Sequence, residues 1–170
     1  MKRRLGTWLF LSLTAVGCAT TGTLQNGVYH GERTSYRIGP VSSDWTPVTV
    51  DRQNDLAWHN EAKGAVKQVD SKCASDLDIP LKALRNHLMI GFTDRQVIQE
   101  EVVPMDGREA LRTHFTATLD GVPREMLLQI LKKDGCVYDF SMITPDATTF
   151  GEALPDFDRL IAGFGTMDRP

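Results

Sequence analysis

Of the signatures that usually announce chemistry, this 170-residue chain has almost none. Its three cysteines include no C-x-x-C pair, so a thioredoxin-like redox motif is excluded. Its four histidines, His30, His59, His87 and His114, are far apart, and none has the H-E-x-x-H spacing of a zinc site. No serine stands in G-x-S-x-G, and no glycine-rich loop is built to cradle a phosphate. Long basic runs are absent too. That argues against nucleic acid, which demands cationic contacts to phosphate, and against anionic lipid headgroups as the main ligand. The amino-terminal apolar run, residues 5–16, is too short to cross a bilayer core, which needs about 20 apolar residues.

What is present is concentrated at the start. Lys2, Arg3 and Arg4 form a positive cluster, the apolar run follows, and Ala15-Val16-Gly17 leads into Cys18. Charge, apolar run and small residues in that order make an export signal. The ending resembles the lipobox of bacterial lipoprotein precursors, with Ala15 where that family most often has Leu. The resemblance implies cleavage before Cys18, acylation of Cys18, and membrane attachment through it. Ala19 after the cysteine, rather than Asp, implies the outer membrane over the inner. Each buried CH₂ contributes about 0.8 kcal/mol, so two or more acyl chains hold durably. The expected organisation is a signal peptide over 1–17, a lipidated Cys18 with a flexible tether over 18–27 (small, polar ATTGTLQNG), and one domain over 28–170.

Removing residues 1–17 leaves 153 residues, the size of one domain. With 16 basic against 22 acidic residues, that domain is mildly acidic. The two cysteines left over, Cys73 and Cys136, are candidates for a disulfide in an oxidising envelope compartment, with two buried free thiols as the alternative.

Periodicity along the chain predicts strands over 34–38, 47–50, 55–59 and 65–69. A helix is expected over 76–92, capped by Asp76 or Asp78 with Pro80 in its first turn. Its stripe is Leu81, Leu84, Leu88 and Phe92, with Lys82, Arg85 and Asn86 facing away. Four strands follow over 96–103, 108–119, 125–132 and 136–143, separated by turns at Asp106-Gly107, Asp120-Gly121 and Asp134-Gly135. In 108–119 apolar and polar residues alternate, which marks one solvated face, and 125–132 is apolar on both faces, which marks a central strand. A second helix is expected over 146–164, broken or kinked at Pro155. Strands and helices in this order predict an α+β domain, an antiparallel β-sheet with helices packed on its faces.

The opening SYRIGPVSSDW and the hairpin meander closed by FGEALPDFDRLIAGF resemble PsbP-like domains over residues 29–164. That resemblance implies an α/β/α sandwich and a non-catalytic accessory or assembly role, and it transfers no functional residue.

The remaining candidates for chemistry are sparse. His59 with Glu61 is conceivable as a base pair, but a solvated rim pair is the simpler reading, and His114 reads as a surface residue. Asp70, Asp76 and Asp78 do not match a Ca²⁺-loop spacing. Trp45, Trp58, Tyr36 and Tyr138 read as core rather than as pocket walls. No catalytic residue, metal or cofactor is expected. The function expected is that of a membrane-anchored envelope lipoprotein that is not an enzyme, works as an interaction or accessory module, and faces an envelope protein partner. The alternative is a small-molecule or lipid-binding periplasmic protein.

Overall fold

A computed structural model describes residues 22–49, 54–74 and 78–167. Its elements run β1 (Gly22–Gln25), β2 (Val28–Gly31), β3 (Ser35–Arg37), β4 (Thr46–Pro47), β5 (Leu56–Asn60) and β6 (Ala65–Cys73). Then come α1 (Leu81–Leu88), β7 (Thr93–Met105), β8 (Arg108–Leu119), β9 (Val122–Lys133), β10 (Cys136–Thr144), α2 (Ala147–Ala162) and β11 (Gly165–Met167). Among the described residues they form two antiparallel sheets. The small one has the order β1-β2-β3-β11, and the large one β4-β5-β6-β10-β9-β8-β7. This is the expected α+β architecture.

Local chemistry sets the hairpins. Asn26-Gly27, Asp106-Gly107, Asp120-Gly121 and Asp134-Gly135 each place two successive residues at positive φ, the two-residue turn whose twist matches the flanking strands. Three of them stitch β7 to β10 into a meander. Its centre is β9, where Met126, Leu127, Leu128, Ile130 and Leu131 are all buried, because apolar layers cover both faces. On one face α2 and the small sheet enclose a core of Tyr29, Tyr36, Tyr138, Phe140, Phe157 and Phe164, among others. On the other, Leu88, Met89 and Phe92 lie over Phe115, Met126 and Leu128. Each such side chain contributes about 1.5–3 kcal/mol on burial.

Several expectations give way here. Part of the tether expected over 18–27 is strand β1, because Asn26-Gly27 folds it back onto β2. The long first helix shortens to eight residues. Pro80 stands at its N-cap with φ −57° and ψ 142°, outside the helical region, and no side chain caps it; Asp78 instead meets Lys132 Nζ at 2.9 Å. Arg85 does not face away, since its guanidinium lies 3.2 Å from Glu100 with the side chain 15% exposed. Strand β7 runs through Pro104, which an edge strand tolerates because the missing N–H points away from the ladder. Helix α2 continues through Pro155 without a break. The carbonyl that loses its partner there is that of Gly151, an exposed residue.

The end of α2 fits against the segment after β3 only because two glycines meet. A Cβ on Gly163 would stand 2.3 Å from the Gly39 Cα, and Gly39 N–H donates to the Leu160 carbonyl at 2.9 Å. The chain then turns into β11, which pairs with β3.

Cys73 and Cys136 are directly opposed on β6 and β10 and form a disulfide, closing a loop of sequence separation 63. Replacing both by serine is expected to lower unfolding free energy by about 3–4 kcal/mol in a urea titration. Two free thiols in unreduced protein would contradict the bond.

Candidate functional site

Strands β6 and β10 lie side by side at the centre of the large sheet, in register with Gln68 opposite Ser141 and Asp70 opposite Asp139. These four polar residues alternate with Val69, Phe140 and Met142, which enter the core under α2. They therefore lie on the face toward α1, where they floor a cleft of about 80 Å³. Leu88 and Phe92 roof it, with Phe115, Met126 and Leu128 as its apolar wall.

The floor is unevenly satisfied. Asp70 accepts from the Asp55 N–H at 2.9 Å and from Asn54 Nδ2 at 3.3 Å. Asp139 Oδ1 and Ser141 Oγ are buried without a hydrogen-bond partner. Burial pushes the Asp139 carboxyl up to about 7, and the Asp70 charge opposite pushes the same way. The group therefore changes protonation near neutral pH, beneath an apolar roof and beside a hydroxyl. Such a floor can grip a hydrogen-bond donor. Among the described residues no thiol or imidazole lines it.

The candidates singled out in the sequence fall elsewhere. Residues 1–17 and Cys18 lie outside the described residues. Cys73 and Cys136 are joined, three residues along β10 from Asp139. His59 ends up in β5 and Glu61 in the turn after it, and no ion pair or hydrogen bond joins their side chains. His114 is not a surface residue. Because α2 covers that face of β8, its ring stacks on Phe150 at 4.1 Å and lies 2.7 Å from Glu125 Oε1. The small cleft beside His114 also touches Glu101 and Arg112 but supplies no hydroxyl or thiol. Of the three aspartates weighed for Ca²⁺, Asp70 is in the cleft, Asp78 pairs with Lys132, and Asp76 lies outside the described residues. Among the described residues no group of three or more His, Cys, Asp or Glu is placed to hold a metal ion. Trp45, Trp58, Tyr36 and Tyr138 are core residues, as expected. A wider, shallow depression of about 290 Å³ beside the disulfide holds Lys132 and Lys133, both already in ion pairs.

Sequence reasoning missed three buried polar groups, and the signal for them was available. In a strand covered on both faces, polar residues at alternate positions must be buried, and Asp139 and Ser141 occupy such positions in β10. Lys67 is the third. It is fully buried in β6, its ammonium lies 4.1 Å from the Trp45 ring centroid, and it has no hydrogen-bond partner. Burial pulls its pKa down to about 8 against the opposing pull of Asp156 and Asp44.

No protein-family model matches the chain, and no curated protein matches it in sequence. Solved structures match in fold. LpqN of Mycobacterium tuberculosis, involved in cell envelope biogenesis, superposes with a TM-score of 0.59 at 12% identity, covering 82% of this chain and 88% of LpqN. Cyanobacterial PsbP, CyanoP of Synechocystis sp. PCC 6803, superposes with a TM-score of 0.54 at 15% identity, covering 92% of this chain and 98% of CyanoP. The fold is PsbP-like. Its breadth is clear from the Saccharomyces cerevisiae Ran-binding protein Mog1p, with a TM-score of 0.54 at 9% identity over 86% of this chain and 95% of Mog1p. Identities this low carry the PsbP-like architecture and nothing about the site.

The buried groups make stability depend on pH in opposite senses. Asp139 is raised in the folded state, so the native protein binds the extra proton between the unfolded carboxyl value and about 7, and its contribution to stability falls as pH rises through that window. Asp139→Asn is therefore expected to stabilise the protein at pH 8, by on the order of 2–4 kcal/mol in chemical denaturation, and to do little at pH 4. Lys67 is lowered, so its penalty is fully present below about 8 and lifts as pH rises toward the unfolded lysine value. Lys67→Met is expected to raise Tm at pH 7, with a gain that shrinks above pH 9.

Proposed function

We propose that the chain is a lipid-anchored accessory module of a bacterial envelope, working by binding rather than by catalysis. The observation that carries this reading is the amino terminus: a basic cluster, a short apolar run and Ala15-Val16-Gly17-Cys18, with the first strand beginning at Gly22. Cleavage before Cys18 and acylation of its thiol and new amino group would fix the chain to the membrane. Four residue steps span at most about 14 Å, so β1 would be held close to the headgroups rather than on a long leash. Among the described residues no helix is long and apolar enough to cross a membrane, and in this reading Cys18 provides the attachment. Ala19 after the cysteine leans to the outer membrane.

The fold supports the accessory role by analogy. LpqN, one of the proteins it resembles, is involved in cell envelope biogenesis, and CyanoP is a PsbP protein. An envelope protein partner fits that role. The cleft beneath α1 favours a second reading, a small-molecule binding protein, because its floor has unmet hydrogen-bonding capacity. At about 80 Å³ it is too small to bury a long acyl chain.

Labelled palmitate is expected to appear on the wild-type chain and to vanish in Cys18→Ser, which should also move the protein from the membrane to the soluble fraction. Equal labelling of both, or labelling of neither, would defeat the anchor. Crosslinking in cells should then recover a specific envelope partner with Cys18 intact and less of it with Cys18→Ser.

A further inference from the structure

Three features of the cleft beneath α1 act together. The first is charge: Asp70 and Asp139 stand opposite each other on β6 and β10, and among the described residues no lysine, arginine or histidine lines the cleft. The second is unmet capacity for a donor. Ser141 is 8% exposed, and its Oγ and the Asp139 Oδ1 are buried on the floor without partners. The third is the wall, where Phe92 and Phe115 meet edge to face with centroids 6.3 Å apart, beside Met126.

We infer that this cleft binds a small primary ammonium carried on a short apolar body, with Asp139 and Ser141 accepting its N–H groups and Phe92, Phe115 and Met126 packing its carbons. Each alternative occupant leaves something unmatched. A carboxylate or phosphate would bring a further negative charge against Asp139, which already faces Asp70, and has no N–H to give the orphan acceptors. A neutral alcohol offers one donor and no charge, so it satisfies at most one of the two orphan acceptors. A quaternary ammonium gains from the aromatic faces but has no N–H to give the floor. A primary ammonium has three donors, a charge that complements the carboxylates, and a size suited to about 80 Å³. Its tail would run past Leu88 and Phe92, the two lining residues on the α1 side.

The inference rests on the binding reading above and is independent of Cys18. It is tested on the chain carrying Cys18→Ser, so that no detergent competes for the cleft. The probes are hexylammonium, 1-hexanol and hexanoate, titrated at pH 7.5 and followed by amide shifts of β10 and the α1 segment. Hexylammonium is expected to bind about tenfold or more tightly than 1-hexanol, and hexanoate not at all. Asp139→Asn, which should fold at least as well as the parent, is expected to abolish the preference for the amine over the alcohol. Ser141→Ala is expected to weaken hexylammonium several-fold. Equal affinity for hexylammonium and 1-hexanol, or an amine affinity unchanged in Asp139→Asn, would overturn the assignment. A vesicle arm separates the sources of the amine. Flotation with phosphatidylethanolamine but not phosphatidylcholine vesicles would support an aminolipid headgroup, whereas hexylammonium binding without flotation would support a free amine. A chain that binds the amine but takes no palmitate would sink the anchor and leave the cleft assignment standing.

Discussion

The junction between the two sheets depends on one carboxylate. Asp55, just ahead of β5, accepts from the Tyr29 hydroxyl at 2.8 Å and the Tyr36 hydroxyl at 3.0 Å, and also from Ser71 of β6. Burial raises the pKa of Asp55, and the three hydroxyl donors pull it back. Burial and the same carboxylate push both phenols well above the ordinary tyrosine range. A hydrogen bond to a charged acceptor contributes about 1.5–3 kcal/mol, so this hub ties the small sheet to the large one more firmly than apolar contact alone. Its reach extends further. Tyr36 packs on Tyr138 and Phe164, and β3, which carries Tyr36, is the strand that receives β11. The carboxylate thus holds, through Tyr36, the strand that receives the chain after α2.

The parts of the fold written in short-range chemistry were legible. The Asp-Gly turns, the strand period of β8 and the doubly apolar β9 each encode their own geometry, and β8 matches its expected bounds of 108–119, but the polar face expected to be solvated lies under α2 at Arg112 and His114. Parts that depend on distant contacts were not. Strand β11 is three residues long and exists because β3 is there to pair with it. Strand β1 was hidden by its polar composition, although Asn26-Gly27 marked the turn. Both helices depart from expectation at a proline: Pro80 stands at the N-cap of α1 rather than in its first turn, while Pro155 lies inside an unbroken α2, four residues after the exposed Gly151. The candidate site was legible only in outline. The facing pair Asp70 and Asp139 requires the β6–β10 register, which no local pattern supplies.

Buried polar groups separate the functional question from the folding question. Lys67 and Asp139 sit on neighbouring strands but on opposite faces of the sheet, one under α2 and the other under α1, so they do not neutralise each other. Lys67 has Trp45 against its ammonium and the charges of Asp156 and Asp44 nearby. Asp139 has only the carboxylate of Asp70 opposite. Both lower the stability of the fold. Of the two, only Asp139 borders open space, and that difference separates a packing compromise from a place where something is received.

The outermost strand of the large sheet, β7, is interrupted twice by register shifts against β8, carries Arg95, Glu100 and Glu101, and contains a proline near its end. A visiting strand would find its ladder misaligned at the bulges, charged along its length and lacking one donor. Thirteen residues of open edge, exposing Val97, Ile98 and Val102, are thereby made a poorer template for a visiting strand than their apolar side chains alone would make them.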